Sequence, residues 1–170
     1  NAQGALLAVL VLAWLARGRL NPLAVAPGLC IIGAAASIGC ISNGCGYGRE
    51  VFWTDGLAWA LRVDWPDAYL IRNPRLPAQL LLAAWLLLWL APVIIVARRA
   101  GHLADQLQAK TATLLALAAC AAGDFGVAFA RADAQPLFAQ LRLEQWLDIA
   151  ILCGSSLAAA LHLRRRSGPG

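Results

Sequence analysis

The residues best suited to chemistry lie in one short segment, Ser37–Arg49, where four glycines and Asn43 accompany two cysteines. Glycine and asparagine adopt positive φ at low cost, so this composition predicts tight turns that expose backbone groups. The segment follows an apolar run of about 20 residues, which is the length of a membrane helix. A polar, turn-rich segment at the end of such a helix predicts a pocket at the lipid–water boundary, a position that suits binding of lipid head groups.

The elements that position this segment are predicted by composition. Of the 170 residues, 61% are hydrophobic and 14% are charged, whereas a soluble domain has about 25% charged residues. The apolar residues form five blocks: Gly4–Ala16, Pro22–Ile41, Pro77–Ala97, Thr111–Ala130 and Trp146–Leu163. We therefore expect an all-α integral membrane protein, a single domain over residues 1–170 with about five transmembrane helices.

The first block is too short to cross a bilayer alone. Because the chain starts at Asn1 and contains no methionine, we expect that an upstream part is missing from this sequence. A secretory signal is a weaker alternative, since no basic region precedes the block.

The charged residues between the blocks predict an orientation. Basic residues follow blocks one, three and five, whereas the other two connections carry balanced charges. Cytoplasmic loops are enriched in Lys and Arg, so the C-terminus is predicted to be cytoplasmic and residues 42–76 and 131–145 extracytoplasmic. The net charge of +5 is then a topology signal, and we expect no nucleic-acid partner.

The connection over residues 42–76 is long and rich in aromatic side chains. Tryptophan is favoured at the interface between head groups and lipid tails, so the composition predicts a structured loop against the membrane. Its apolar members are Phe52, Trp53, Leu57, Trp59, Leu61, Val63, Trp65 and Tyr69.

The cysteines divide by their predicted depth. Three lie inside apolar blocks and are predicted to be core residues: Cys30, Cys120 and Cys153. Cys40 and Cys45 lie on the outer side, where disulfides persist, so a bridge and two separate thiols are both open. His102 and His162 fall on the cytoplasmic side, which leaves too few ligands for a metal site. No fingerprint for a cofactor is present, and we expect none.

Several stretches together resemble the motifs of a known family. They are Gln3–Leu7, Ile38–Arg49, Thr54 and Asp55 with Trp59, Arg75–Leu80, and Leu141–Leu147. They are similar to motifs of the prolipoprotein diacylglyceryl transferases, bacterial enzymes that move diacylglycerol from phosphatidylglycerol onto a lipoprotein cysteine. The resemblance implies a multi-pass protein of the bacterial cytoplasmic (inner) membrane and a phospholipid partner of the phosphatidylglycerol class. It also implies a head-group site at Asn43, Gly44, Gly48, Arg49, Arg75 and Arg131.

The chain departs from the family pattern at positions that carry the chemistry. Gln3 stands in place of a histidine, Ser37 and Asp124 in place of arginines, Cys40 in place of an asparagine, and Cys45 and Ala128 in place of glutamates. Arginine binds phosphate bidentately, and glutamine cannot act as a base, so these changes predict weakened catalysis. Two hypotheses follow: a divergent transferase, or a non-catalytic accessory subunit that associates with other integral membrane proteins.

Asp124 has two interpretations, because carboxylates inside a membrane are costly and face a partner or a wet cavity. It is either a site residue paired with Arg49 or Arg75, or a protonated or locally bonded carboxylate that holds helices together.

Overall fold

The computed structural model describes residues 22–66, 69–102, 106–132 and 135–166. Its helices are α1 (Pro22–Ser42), α2 (Leu57–Ala60), α3 (Ala78–His102), α4 (Gln106–Ala128) and α5 (Leu143–Arg166). A 3₁₀ turn at Trp53–Asp55 precedes α2, and an antiparallel hairpin, β1 (Leu137–Phe138) and β2 (Leu141–Arg142), precedes α5. The predicted block Gly4–Ala16 and the site residue Gln3 lie outside the described residues.

Three of the helices are long and apolar enough to cross a membrane: Val25–Ser42 in α1, Ala78–Arg98 in α3 and Thr111–Ala128 in α4. The prediction of an all-α membrane protein is thereby confirmed. Among the described residues, α5 is not one of these spans. The count of five spans stays a prediction.

The core lies between α1, α3 and α4, and α5 packs against α4. Most of its buried side chains are small, which lets the helix backbones approach closely. In a membrane such close packing matters, because the hydrophobic effect does not drive helices together there. Cys30 on α1 and Cys120 on α4 belong to this core, as predicted. The prediction for Cys153 is wrong, because α5 turns this residue away from α4 and leaves it exposed.

Two glycines set the closest contacts between helices. Leu86 of α3 packs over Gly33 of α1, and the indole of Trp85 packs over Gly123 of α4. The Trp85 indole nitrogen also donates a hydrogen bond to the carbonyl oxygen of Ala119 at 2.8 Å. Trp85 therefore joins α3 to α4 by both packing and a hydrogen bond.

The connections 43–77 and 129–142 meet at one end of the helix bundle. Four short segments pair side by side there through isolated bridges, in the order 130–132, 47–51, 72–76 and 63–66. Arg49 N–H donates to the carbonyl of Ala130 at 2.7 Å, and Leu76 N–H donates to the carbonyl of Arg49 at 3.0 Å. We call these four segments the ribbon. It satisfies main-chain polar groups close to the apolar helices, where unpaired ones are costly.

The contact at Gly123 yields a test of this packing. Gly123→Ala places a methyl group against the Trp85 indole, and overpacking of this kind costs about 1–3 kcal/mol. Gly126→Ala is the matched control, because a Cβ at Gly126 meets open space and alanine favours a helix by about 0.5–1 kcal/mol. In thermal unfolding of the purified protein in detergent, Gly123→Ala should lower the midpoint and Gly126→Ala should not. Equal behaviour of the two variants would contradict the packing described here.

Candidate functional site

A pocket opens at the end of the bundle that carries the ribbon. Its volume is about 380 Å³ including the open mouth. The wall is formed by the last turn of α1, the glycine-rich segment after it, the third and fourth segments of the ribbon and the start of α3. The lining residues are Ile41, Gly44, Cys45, Gly46, Tyr47, Gly48, Val63, Trp65, Pro66, Arg75, Leu76, Pro77, Ala78 and Gln79.

Glycine is required for different structural reasons at different positions of the glycine-rich segment. Gly44 and Gly46 both have a φ of 62°, the left-handed conformation that glycine adopts without strain. Gly48 is required by space, because a Cβ there would collide with the carbonyl oxygen of Leu76. Gly39, in contrast, is helical and faces open space. The prediction of positive φ holds for two of the four glycines.

Two linkages hold the glycine-rich segment against the helices. The Gln79 side-chain amide, in the first turn of α3, donates to the carbonyl oxygens of Cys45 at 3.3 Å and Gly46 at 3.0 Å. A disulfide joins Cys40 in the last turn of α1 to Cys45, with the Cα atoms 5.0 Å apart. The pocket wall is therefore tied to both helices that flank it.

Arg75 is the cation at the pocket, and it is 7% exposed. Its Nη2 lies 3.2 Å from Oε1 of Glu50, and its guanidinium carbon lies 4.7 Å from the centroid of the Tyr47 ring. The Glu50 side chain is 44% exposed and also accepts a hydrogen bond from Asn73 at 2.7 Å. An anion that enters the pocket would meet a guanidinium that is already oriented and partly neutralised.

A second cluster of charges lies between the ends of α4 and α5. Glu144 Oε1 is 3.2 Å from Arg131 and 3.7 Å from Arg142. Arg142 also donates to the carbonyl oxygen of Arg131 at 2.9 Å, and the Gln145 side chain accepts from the Arg142 N–H at 3.0 Å. This cluster fixes the hairpin and the first segment of the ribbon.

The structure brings together part of the predicted head-group site. Gly44, Gly48 and Arg75 line the pocket. The Arg131 guanidinium lies behind Gly46 but does not line the pocket. The Asn43 side chain donates to the carbonyl of Gly39 at 2.9 Å, where it caps α1, and Arg49 is exposed.

Of the described positions that are predicted to be substituted, Cys45 lines the pocket and the others do not. Ser37 is buried, and its hydroxyl donates to the carbonyl of Gly33 at 2.9 Å. Cys40 is held in the disulfide. Asp124 is buried in α4. Arg75, one of the two predicted partners of Asp124, makes an ion pair with Glu50.

Sequence reasoning missed three residues of the site and one near it. Tyr47 and Gln79 lie within the matched stretches and Glu50 directly follows one, but the sequence predicts a role for none of them. A side-chain amide in the first turn of a helix, as at Gln79, is the one signal that indicates such a residue. Asp148 was missed entirely. It is 4% exposed, and its Oδ2 has no hydrogen-bond partner among the described residues.

Three membrane-length helices that carry a cation-bearing pocket at one end define an integral membrane protein equipped to meet polar groups at the bilayer surface. The comparison with protein-family models identifies the family of this membrane protein. The model of the prolipoprotein diacylglyceryl transferases matches residues 1–161, so the chain belongs to this family. No match to the chain was found among curated proteins or among solved structures.

The disulfide gives a prediction for the purified protein. The chain has five cysteines, and Cys30, Cys120 and Cys153 are free thiols in the structure. After denaturation without reductant, a thiol titration should therefore count three free thiols, and after reduction five. Five thiols before reduction, in protein isolated from its membrane without reductant, would show that Cys40 and Cys45 do not form a bridge in the cell.

Proposed function

We propose that this protein binds an anionic phospholipid of the phosphatidylglycerol class in the pocket and has lost efficient diacylglyceryl transfer. The observation that supports the proposal is that two kinds of family position lie in different places. The residues suited to holding a head group, Gly44, Gly48 and Arg75, line the pocket. Apart from Cys45, the described positions that depart from the family pattern do not.

The chemistry of the family reaction explains why the substitutions matter. A cysteine thiol is mostly protonated at neutral pH, so transfer to it needs a base and cations that stabilise the departing phosphate. Glutamine at position 3 cannot accept the proton. Aspartate at position 124 reverses the sign of the charge there. One pair of unit charges at 4 Å and an effective dielectric constant of 20 interacts by about 4 kcal/mol, so replacing attraction by repulsion changes the energy by about 8 kcal/mol. Loss of one electrostatic stabiliser commonly lowers the rate about 10²–10³-fold, and here several are lost.

Retention of lipid binding is supported by Arg75. A guanidinium that is buried at one edge and faces an apolar-walled pocket can meet phosphate oxygens through charge-assisted hydrogen bonds. Tyr47 and Glu50 hold the guanidinium in place before a ligand arrives, which reduces the entropy lost on binding. On this basis the protein serves as a lipid-binding, non-catalytic accessory subunit in a complex with other integral membrane proteins.

The divergent-transferase hypothesis remains as the second candidate, because one observation favours it. Arg131 Nε lies close to Gly46, and Arg75 lines the pocket, so two arginines lie near the glycine-rich segment. In that hypothesis Asn43, Gly48, Arg49, Arg75 and Arg131 hold the lipid, and a different group replaces the histidine.

We further propose an orientation and a compartment. The pocket end of the bundle is extracytoplasmic and the C-terminus cytoplasmic, in a bacterial inner membrane crossed about five times, with α5 as the last span. The basic residues Arg98 and Arg99 near the opposite end of α3 support this orientation.

Binding is tested at Arg75. Arg75→Ala should weaken binding of a short-chain phosphatidylglycerol about 10–100-fold, because a hydrogen bond to a charged group contributes about 1.5–3 kcal/mol. Arg72→Ala, in the same segment but exposed and outside the pocket, is the matched control. Native mass spectrometry of the purified protein, with phosphatidylcholine as a comparison lipid, measures the difference. Equal binding by both variants would refute the assignment of Arg75.

Loss of transfer is tested by complementation. The chain, expressed in cells depleted of their own transferase, should insert into the membrane but fail to restore diacylglyceryl modification of a test lipoprotein. An active family member in the same vector is the positive control. Modification restored by this chain would overturn the non-catalytic assignment and favour the divergent transferase.

Orientation is tested by labelling from outside the cell. Asp64 is exposed on the connection before α3, so a cysteine at this position should react with a membrane-impermeant maleimide in intact spheroplasts. The Asp64→Cys variant should be made with Cys153→Ser, since Cys153 is exposed. Reaction that appears only after the membrane is lysed would place the pocket on the cytoplasmic side.

A further inference from the structure

The connection between α1 and α3 presents a group of large apolar side chains to its surroundings. Trp53 is 79% exposed and Leu70 is 82% exposed, and they are accompanied by Phe52, Leu57, Tyr69 and Ile71. Exposed apolar patches of this kind mark a contact with another molecule or with a membrane. We call these six residues the apolar rim.

The rim is exposed because the connection is folded, with its other side already occupied. Val51 is 1% exposed, and its N–H donates to the carbonyl of Pro74 at 2.9 Å. Val63 and Arg75 exchange both main-chain hydrogen bonds, at 2.9 and 3.0 Å. These contacts occupy one side of the connection, which packs within the ribbon. The remaining apolar side chains therefore lie on its outer side.

The 3₁₀ turn holds one part of the rim outward. The carboxylate of Asp55 accepts a hydrogen bond from the Phe52 N–H at 2.8 Å, and the Asp55 N–H donates to the Phe52 carbonyl at 2.9 Å. This reciprocal pair fixes the turn at Trp53, which therefore projects from a defined backbone.

We infer that the apolar rim inserts into the interfacial layer of the bilayer leaflet at the pocket end of the bundle. The rim belongs to the connection that leaves α1 at Ser42 and enters α3 at Ala78, where the two membrane-length apolar segments end. The rim thus lies in the connection that joins the ends of two membrane-length helices.

The residue types in and beside the rim match this depth. Tryptophan and tyrosine prefer the boundary between head groups and tails, because one part of the ring system is apolar and the other part forms hydrogen bonds. Arg62 lies 3.9 Å from the centroid of the Trp59 ring and donates to the Trp59 carbonyl at 3.0 Å. A cation stacked on an aromatic ring at this level can meet lipid phosphates while its stem stays in apolar surroundings.

The inference is tested by a probe placed at single positions. In a Cys153→Ser background, Leu70→Cys and Trp53→Cys are each labelled with an environment-sensitive nitrobenzoxadiazole group, and Asp64→Cys is the polar control. After reconstitution of the purified chain into phosphatidylglycerol–phosphatidylcholine vesicles, the probes at 70 and 53 should show blue-shifted emission. They should also resist quenching by aqueous iodide and be quenched by lipids with a spin label close to the head group. The probe at 64 should respond to iodide.

Two outcomes would overturn the inference. Quenching by iodide at positions 70 and 53 as strong as at 64 would place the rim in water. Protection from iodide in native membranes but not in vesicles of the purified chain would assign the rim to a protein partner instead of the bilayer. Neither outcome depends on whether the pocket binds lipid, so the proposed function is tested separately by Arg75→Ala. Two independent positions guard against one variant that folds poorly.

Discussion

Arg75 holds together the end of the molecule where the pocket lies. Its main chain pairs with Val63 in both directions, and its side chain reaches Glu50 and the ring of Tyr47. One residue thus links two segments of the ribbon to the pocket wall by backbone bonds, an ion pair and a cation–π contact. Because the ion pair is mostly buried on the arginine side, removal of Glu50 would leave a poorly solvated charge, a far larger perturbation than loss of an exposed pair.

The residues that maintain the pocket differ from those at the positions that the family reaction uses. The features that maintain the pocket are glycines with positive φ or close backbone contact, an amide from α3 and main-chain pairing. None of them requires the histidine or the arginines that the family reaction uses. The family architecture, which the family model matches over residues 1–161, can therefore be kept independently of the positions predicted to be substituted.

Sequence patterns predicted the helices well and the site only in part. The blocks at Pro22–Ile41 and Pro77–Ala97 begin or end within a few residues of the spans in α1 and α3, since apolar length is a direct physical requirement of the bilayer. The resemblance to family motifs indicated Arg75, Gly44 and Gly48 as site residues. The partner Glu50 could not be assigned, because an ion pair across 25 positions depends on how the connection folds. The exposure of Cys153 was missed for a similar reason: an apolar block shows that a helix lies in lipid but does not show which face meets another helix.

The pairing of residues 47–49 with residues 130–132 has a consequence for biogenesis. The glycine-rich segment leaves the ribosome early, but the main-chain groups it needs, at Ala130 and Ala132, are synthesised some eighty positions later. Until α4 has been inserted, the N–H of Arg49 and the carbonyl of Tyr47 must be hydrated or held by the insertion machinery. All residues that line the pocket are thus synthesised before α4, but the main-chain pairing that anchors the glycine-rich segment is completed only after α4 has left the ribosome.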